Sequence, residues 1–296
     1  MRISVYIPFL VAALLALLAP HLARRLAPRP ATWALATAAL VAGVSWLGAL
    51  ALLAFSGFGR IPLVALLGSW STTVLDAEDP VTQTVAAVCA AVLMVSTAVL
   101  GVVTWRRGRI LVAAFLECHR MPGEGELAVI DDARLEAFAL PGLPGWPGRV
   151  VVSTGMLRTL DGAERGALMA HERSHLRNHH HFFLLVLQLS AAACPLLFAL
   201  AWEGAFTVER WADEDAAEEV GDRRLVARAV ARAALAKKDG RHREGALAAT
   251  GGPVPRRMPL VVFALLLALC CGSLAEATHD TEKMFEGAQH AYSASH

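Results

Sequence analysis

The chain has 296 residues, of which 56% are hydrophobic and 18% charged, with a formal net charge of +1 and a mean hydropathy of +0.49. Those values exclude a water-soluble globule as the starting assumption and make lipid part of the solvent. With no basic face interleaved with aromatics, the near-zero net charge gives no support to a nucleic-acid partner.

In chain order, four runs carry no charged residue: Ile3 to Ala19, Ala31 to Phe55, Val81 to Trp105 and Met258 to Ala275. Each is close to the ~20 residues that a helix needs to cross ~30 Å of hydrocarbon. Residues 1–105 are therefore expected to supply three transmembrane helices (3–19, 31–55, 81–105) and residues 258–275 a last one. The first run is not expected to be a cleaved leader, because Ala19-Pro20-His21 is a poor small-residue cleavage site and further spans follow. Cys89, Cys194, Cys270 and Cys271 lie in apolar runs and only Cys118 in a polar one, so the cysteines read as small hydrophobes rather than a disulfide framework.

Cations near span ends set orientation. Arg24, Arg25 and Arg29 follow the first run, Arg106, Arg107 and Arg109 follow the third, and Arg256 and Arg257 precede the last; Asp76, Glu78 and Asp79 stand before the third against Arg60 alone. The consistent solution puts both termini outside the cell membrane. Residues 21–30 and 106–257 then face the cytoplasm, while the 56–80 loop and a short tail, 276–296, are external.

After the third run the pattern becomes strand-like. LAVIDD (Leu127 to Asp132), EAFAL (Glu136 to Leu140) and RVVVST (Arg149 to Thr154) are short β-branched or alternating stretches, separated by turn formers that include PGLPGWPG, Pro141 to Gly148. They predict a small antiparallel sheet. Such a sheet offers an edge along which an extended peptide can lie. The expected fold class is mainly α and integral-membrane, with a cytosol-facing α+β domain over residues 106–257.

LDGAERGALMAHERSH announces a helix, with Asp161 as N-cap and Glu164 completing a capping box. His171 and His175 are one turn apart on one face, so both imidazoles can converge on a single ion at about 2.0–2.1 Å. Glu172, inside H-E-x-x-H, can face an open coordination position and take a proton from water there. Two candidates compete for third ligand. Read as H-E-x-x-H-x-x-N-x-x-H, the stretch offers His181, with Asn178 where metzincins turn at glycine, a residue that tolerates the left-handed conformation. The other is Glu209, 34 residues beyond His175 in VERWADEDAAEE, with Asp213 one turn further and able to orient a histidine through its second nitrogen.

The pieces AFALPG (Ala137 to Gly142), RVVVSTGML (Arg149 to Leu157), LMAHERSHLRNHH (Leu168 to His180) and ERWAD (Glu209 to Asp213) stand in one order. In that order Leu127 to about Leu235 resembles the integral-membrane zinc endopeptidases that include the CAAX prenyl proteases, HtpX and the BlaR/MecR β-lactam signal transducers. The resemblance implies that residues 106–257 form a zincin-like catalytic domain of the gluzincin kind, with zinc held by His171, His175 and Glu209, Glu172 as general base and a protein or peptide substrate, either a transcriptional repressor or a membrane protein. Three spans, a catalytic domain and a last span look most like the β-lactam transducers. The chain departs from them in its short tail, which cannot be a penicillin-binding sensor domain, and in Glu136, where relatives often carry Asn.

Phe182 to Trp202 also carries no charge. A single crossing there would put Glu209 on the wrong side of the membrane. Pro195 removes a backbone donor in its middle, so the run is expected to be a membrane-associated helical hairpin, 182–202, bent near Cys194-Pro195. His179, His180 and His181 are expected at the membrane interface by the C-terminal end of the catalytic helix, although His179, one turn beyond His175, can also take part in metal capture or positioning. The acidic run Glu214 to Asp222 is read as solvated surface, LVARAVARAAL as a helix packed under the catalytic domain with its arginines at the rim, and Gly240 to Pro255 as a linker. One other function class stays open, a signalling or scaffold protein that keeps the peptidase fold without cleaving, whereas a metal carrier is discounted. A carrier predicts acidic or histidine residues within the spans, which have none.

Overall fold

A computed structural model describes residues 4–72, 74–75, 82–120, 125–142, 148–238 and 258–295. The expected linker 240–255, Arg256 and Arg257, the acidic residues Asp76, Glu78 and Asp79, and most of the 141–148 turn lie outside them. Among the described residues four helices are long and apolar enough to cross a membrane, within Ser4–Ala23, Pro28–Phe58, Gln83–Glu117 and Leu260–Ala294. They are α1 (Ile7–Ala23), α2 (Pro28–Phe58), α4 (Gln83–Arg120) and α10 (Met258–Ser295).

Prolines in the first turn start α1, α2 and the short α3 (Pro62–Gly68), where a missing N–H costs nothing. α4 and α10 have 38 residues each, about 57 Å of helix. Each therefore outruns the hydrocarbon. α10 continues through the stretch expected to be a short tail because Ala277, Met284 and Ala288 make an apolar stripe at helical spacing. Met284 and Ala288 on that stripe bury against Leu75. Ser71 N donates to Ala288 O at 3.0 Å, tying the chain after α3 to the end of α10, while Trp70 Nε1 donates back to Gly59 O at 2.8 Å. Most of α4, by contrast, shows Val88, Val95 and Val102 outward, as a lipid-facing helix does.

The sheet differs from expectation. Its order is β1 (Leu127–Ile130), β3 (Arg149–Ser153), β2 (Ala137–Leu140), with β1 parallel to β3 and β2 antiparallel to it, so it is mixed rather than antiparallel. β3 takes the centre because Val150, Val151 and Val152 are all buried. Val150 and Val152 meet Met156 and Leu168, while Val151 meets Ala128 and Leu140 on the other face. A strand buried on both faces suits the centre of the sheet, where β3 is also paired along both of its edges. β1 and β2 cannot then form a hairpin with one another, and the turn between them is held by Asp132, which accepts from Arg134 N at 2.9 Å and pairs with its guanidinium.

After β3 come α5 (Thr154–Thr159) and α6 (Gly162–Arg177), then α7 (His180–Ala193), a 3₁₀ turn over Pro195–Leu197, α8 (Phe198–Val220) and α9 (Arg223–Lys238). The chain breaks at Cys194, extended at φ −133° and ψ 107°, just before Pro195. α8 packs against both α7 and α6, so the polypeptide turns back there. The two arms touch closely: a Cβ on Gly204 would lie 2.5 Å from a Leu187 methyl. Leu187 and Leu200 join Leu15, Leu35, Ala39 and Phe263 in one core, which places the α7–α8 hairpin among the apolar helices.

Candidate metal centre

α6 begins as its sequence predicts. The Asp161 carboxylate accepts from Glu164 N at 2.8 Å, and the Glu164 carboxylate accepts from Asp161 N at 3.2 Å, which closes the capping box. The same Oε2 of buried Glu164 also accepts from α9, where Arg232 donates at 2.7 Å, and Arg228 lies 3.9 Å from Oε1. Val226, Ala229 and Ala233 of α9 are buried while the Arg228 and Arg232 side chains stay largely exposed, so the α9 arginines do sit at the rim.

On the far side α6 is clamped to α8. The Asp215 carboxylate accepts from Ser174 Oγ at 2.7 Å, Asn178 Nδ2 at 2.7 Å and Arg177 at 3.2 Å. Arg173 pairs with Glu219 and with Glu126, each at 3.2 Å. The acidic run was expected to be solvated surface, and Asp215 corrects that for one residue in it. Burial would raise its pKa, but the hydrogen bonds from Ser174, Asn178 and Arg177 outweigh it and lower the carboxyl below its ordinary value. A depressed carboxyl stabilises the fold above its unfolded value and loses that contribution as pH falls through the folded one. Asp215→Ala leaves the O–H of fully buried Ser174 without its acceptor, and is expected to cost about 2–3 kcal/mol. Thermal melts in detergent should show a lower midpoint for the variant at pH 7 and a gap that narrows in acid below about pH 4.

With α6 and α8 fixed side by side, Glu209 and the motif histidines meet. His171 Nε2 and His175 Nε2 are 3.1 Å apart, and Glu209 Oε2 is 3.7 Å from the first and 4.0 Å from the second. These three residues form a group with all donor atoms within 4.8 Å of one another, able to hold a metal ion, and His181 is not in it. Asn178, expected at the left-handed turn of the longer motif, has φ −96°; the left-handed residue is His179 at φ 52°. Asp213 also arrives, its Oδ1 lying 2.9 Å from His171 Nδ1. Glu172, next to His171 in the chain, is buried, and its charge is felt at both motif histidines.

The charges are arranged for a cation. Burial opposes protonation of His171, yet the Asp213 and Glu209 carboxylates beside it raise its pKa to about 10. His175 goes the other way, pushed down by burial despite Glu209, because two imidazolium ions cannot share so short a distance. A pocket that holds one positive charge against two carboxylates suits a divalent cation in place of that proton. The donor spacings also suit zinc, since tetrahedral ligands at about 2.0–2.1 Å stand about 3.3 Å from one another.

One neighbour of this centre was not expected. His180 is fully buried, its Nδ1 lies 2.9 Å from His175 Nδ1, and its ring packs 4.7 Å from that of Trp211. Burial and the adjacent His175 push it down to about 3, so it stays neutral. The left-handed turn at His179 folds α7 back so that its first residue reaches α6.

Two imidazoles and a carboxylate gathered at the contact of two helices, in a bundle able to span a membrane, define a candidate metal centre. Residues 105–235, which contain every residue of that centre, match the model of Peptidase family M48, a metallopeptidase family. A search of curated proteins and a search of solved structures each return no match.

Proposed function

We propose that the protein is a membrane-embedded zinc metalloendopeptidase, with zinc held by His171, His175 and Glu209 and Glu172 as its general base. The observation that carries this reading is the arrival of Glu209 beside the two motif histidines, inside the stretch that matches a metallopeptidase family. Zinc, when bound, supplies a Lewis acid that polarises a carbonyl and lowers the pKa of water to about 7. The chain's own groups do the rest. Glu172 accepts the proton of the attacking water and returns it to the leaving amine. Asp213 holds His171 by its Nδ1, so that Nε2 keeps its lone pair toward the site.

The substrate is proposed to be a protein or peptide, a repressor or a membrane protein, bound extended along the sheet edge. Two edge strands are available, β1 and β2, of which β2 lies against α6. The charge distribution supports a cytoplasmic catalytic domain with both termini external, and the α7–α8 hairpin supports a site at the membrane surface. Subtype affinity with the β-lactam transducers rests on sequence order alone.

The test is cleavage by the purified full chain in detergent, with unfolded casein as probe. Activity that a chelator removes and added zinc restores is the expected result. A chain that takes up zinc and cleaves neither casein nor a co-expressed membrane protein would favour the non-cleaving scaffold instead.

A further inference from the structure

Both motif histidines have a second ring nitrogen, and the structure treats the two differently. His171 Nδ1 faces the Asp213 carboxylate, as the E-x-x-A-D spacing leads one to expect, whereas His175 Nδ1 faces another imidazole. We propose that His180 is a positioning residue for the metal centre, its Nδ1 accepting the Nδ1–H of His175 and so holding that ring with Nε2 bare toward the metal.

The tautomers leave one arrangement. A neutral imidazole carries one N–H. To bind a metal through Nε2, His175 must carry its hydrogen on Nδ1, and the atom 2.9 Å away is His180 Nδ1, which must then be the acceptor. His180 accordingly carries its own hydrogen on Nε2, a buried atom with no hydrogen-bond partner among the described residues, so the arrangement bears the cost of one unpaired N–H. The opposite arrangement, with His180 donating, would put the hydrogen of His175 on Nε2 and block the site. Position is fixed from two sides. The His179 left-handed turn brings His180 over His175, and Trp211, two residues beyond Glu209 on α8, packs against the His180 ring. His180 therefore links the strand of chain after the catalytic helix to the helix that supplies the third ligand.

A neutral anchor differs from a carboxylate in one respect. It orients the ring without adding a third negative charge to a centre that already has Glu209 and Asp213, and this keeps the Lewis acidity available to substrate. The two anchors are thus not interchangeable. The inference rests on the metallopeptidase reading only in taking zinc as the ion.

The experiment compares the full chain in detergent with three variants, reading the zinc dissociation constant by chelator competition and the d–d absorption of the cobalt-substituted protein. His180→Phe keeps a ring against Trp211 and removes the acceptor. His180→Asn keeps an acceptor oxygen close to the Nδ1 position and removes the ring. His180→Ala removes both. The expected order is His180→Asn within about threefold of wild type, and His180→Phe and His180→Ala weakened about 10–100-fold, with cobalt bands altered in the latter two only. Zinc retention by His180→Phe, equal weakening of all three, or wild-type affinity in all three would overturn the assignment. Failure of the wild type itself to take up zinc would instead sink the metallopeptidase reading, so the two failures are distinct. Melting of the metal-free proteins separates lost folding from lost binding.

Discussion

Glu209→Ala is expected to lose zinc, falling from about one ion per chain to almost none, while His181→Ala keeps it. The two variants separate the two ways of completing an H-E-x-x-H site. Glu209 Oε2 lies 3.7 and 4.0 Å from the two Nε2 atoms, and removing it leaves two imidazoles that share a charge-favouring pocket but cannot close a three-ligand site. His181 instead stacks beside Phe182 at 4.2 Å between ring centroids, outside the donor group. Metal analysis after dialysis reads the difference directly. Loss of zinc in His181→Ala and retention in Glu209→Ala would mean that the third ligand comes from the adjacent turn, and that the return of α8 to α6 serves some other purpose.

Glu172→Gln should separate binding from chemistry. The amide keeps the shape of the side chain and donates or accepts hydrogen bonds, but it cannot take a proton from water. The expected result is a fall in cleavage of about 10²–10⁴-fold, or about 3–5 kcal/mol in the barrier, with zinc content at the wild-type level. The combination matters, because a drop in both would show only that the site had been damaged. Unchanged cleavage would remove Glu172 as base. A wild type equally inactive with zinc in place would leave the scaffold reading standing. The near-complete burial of Glu172 next to His171 makes the substitution conservative in packing, so the thermal midpoint of the metal-free chain should not move.

These two variants also measure how much one stretch of sequence can reveal. Whatever depends on residues within a turn or two of each other was legible. Asp161 and Glu164 predict the start of α6, and both capping bonds are present. His171 and His175 at a spacing of four predict a shared face, and their Nε2 atoms meet. The four uncharged runs predict four helices able to cross a membrane, although α4 and α10 run well past them, since the end of hydrocarbon is no reason for a helix to stop if its next turns find partners. Hydrophobic length and helical period are local properties, and the chain expresses them wherever it is placed.

Tertiary structure decided the remainder, for reasons of distance along the chain. The pairing of β1 with β3 in parallel depends on burying both faces of Val150 to Val152, which no turn signal between neighbouring strands encodes. Asp215, in a run that composition marks as solvated, is drawn in by Ser174, Asn178 and Arg177 only because α8 returns to α6. His180 looked like one of three interfacial histidines until the left-handed turn at His179 placed it over His175. The sequence by itself determined which residues have the chemistry for a metal centre and the helix that presents two of them. The fold decided which distant groups reach that helix, because a carboxylate or imidazole acts through contact, and contact between residues far apart in the chain is set by packing.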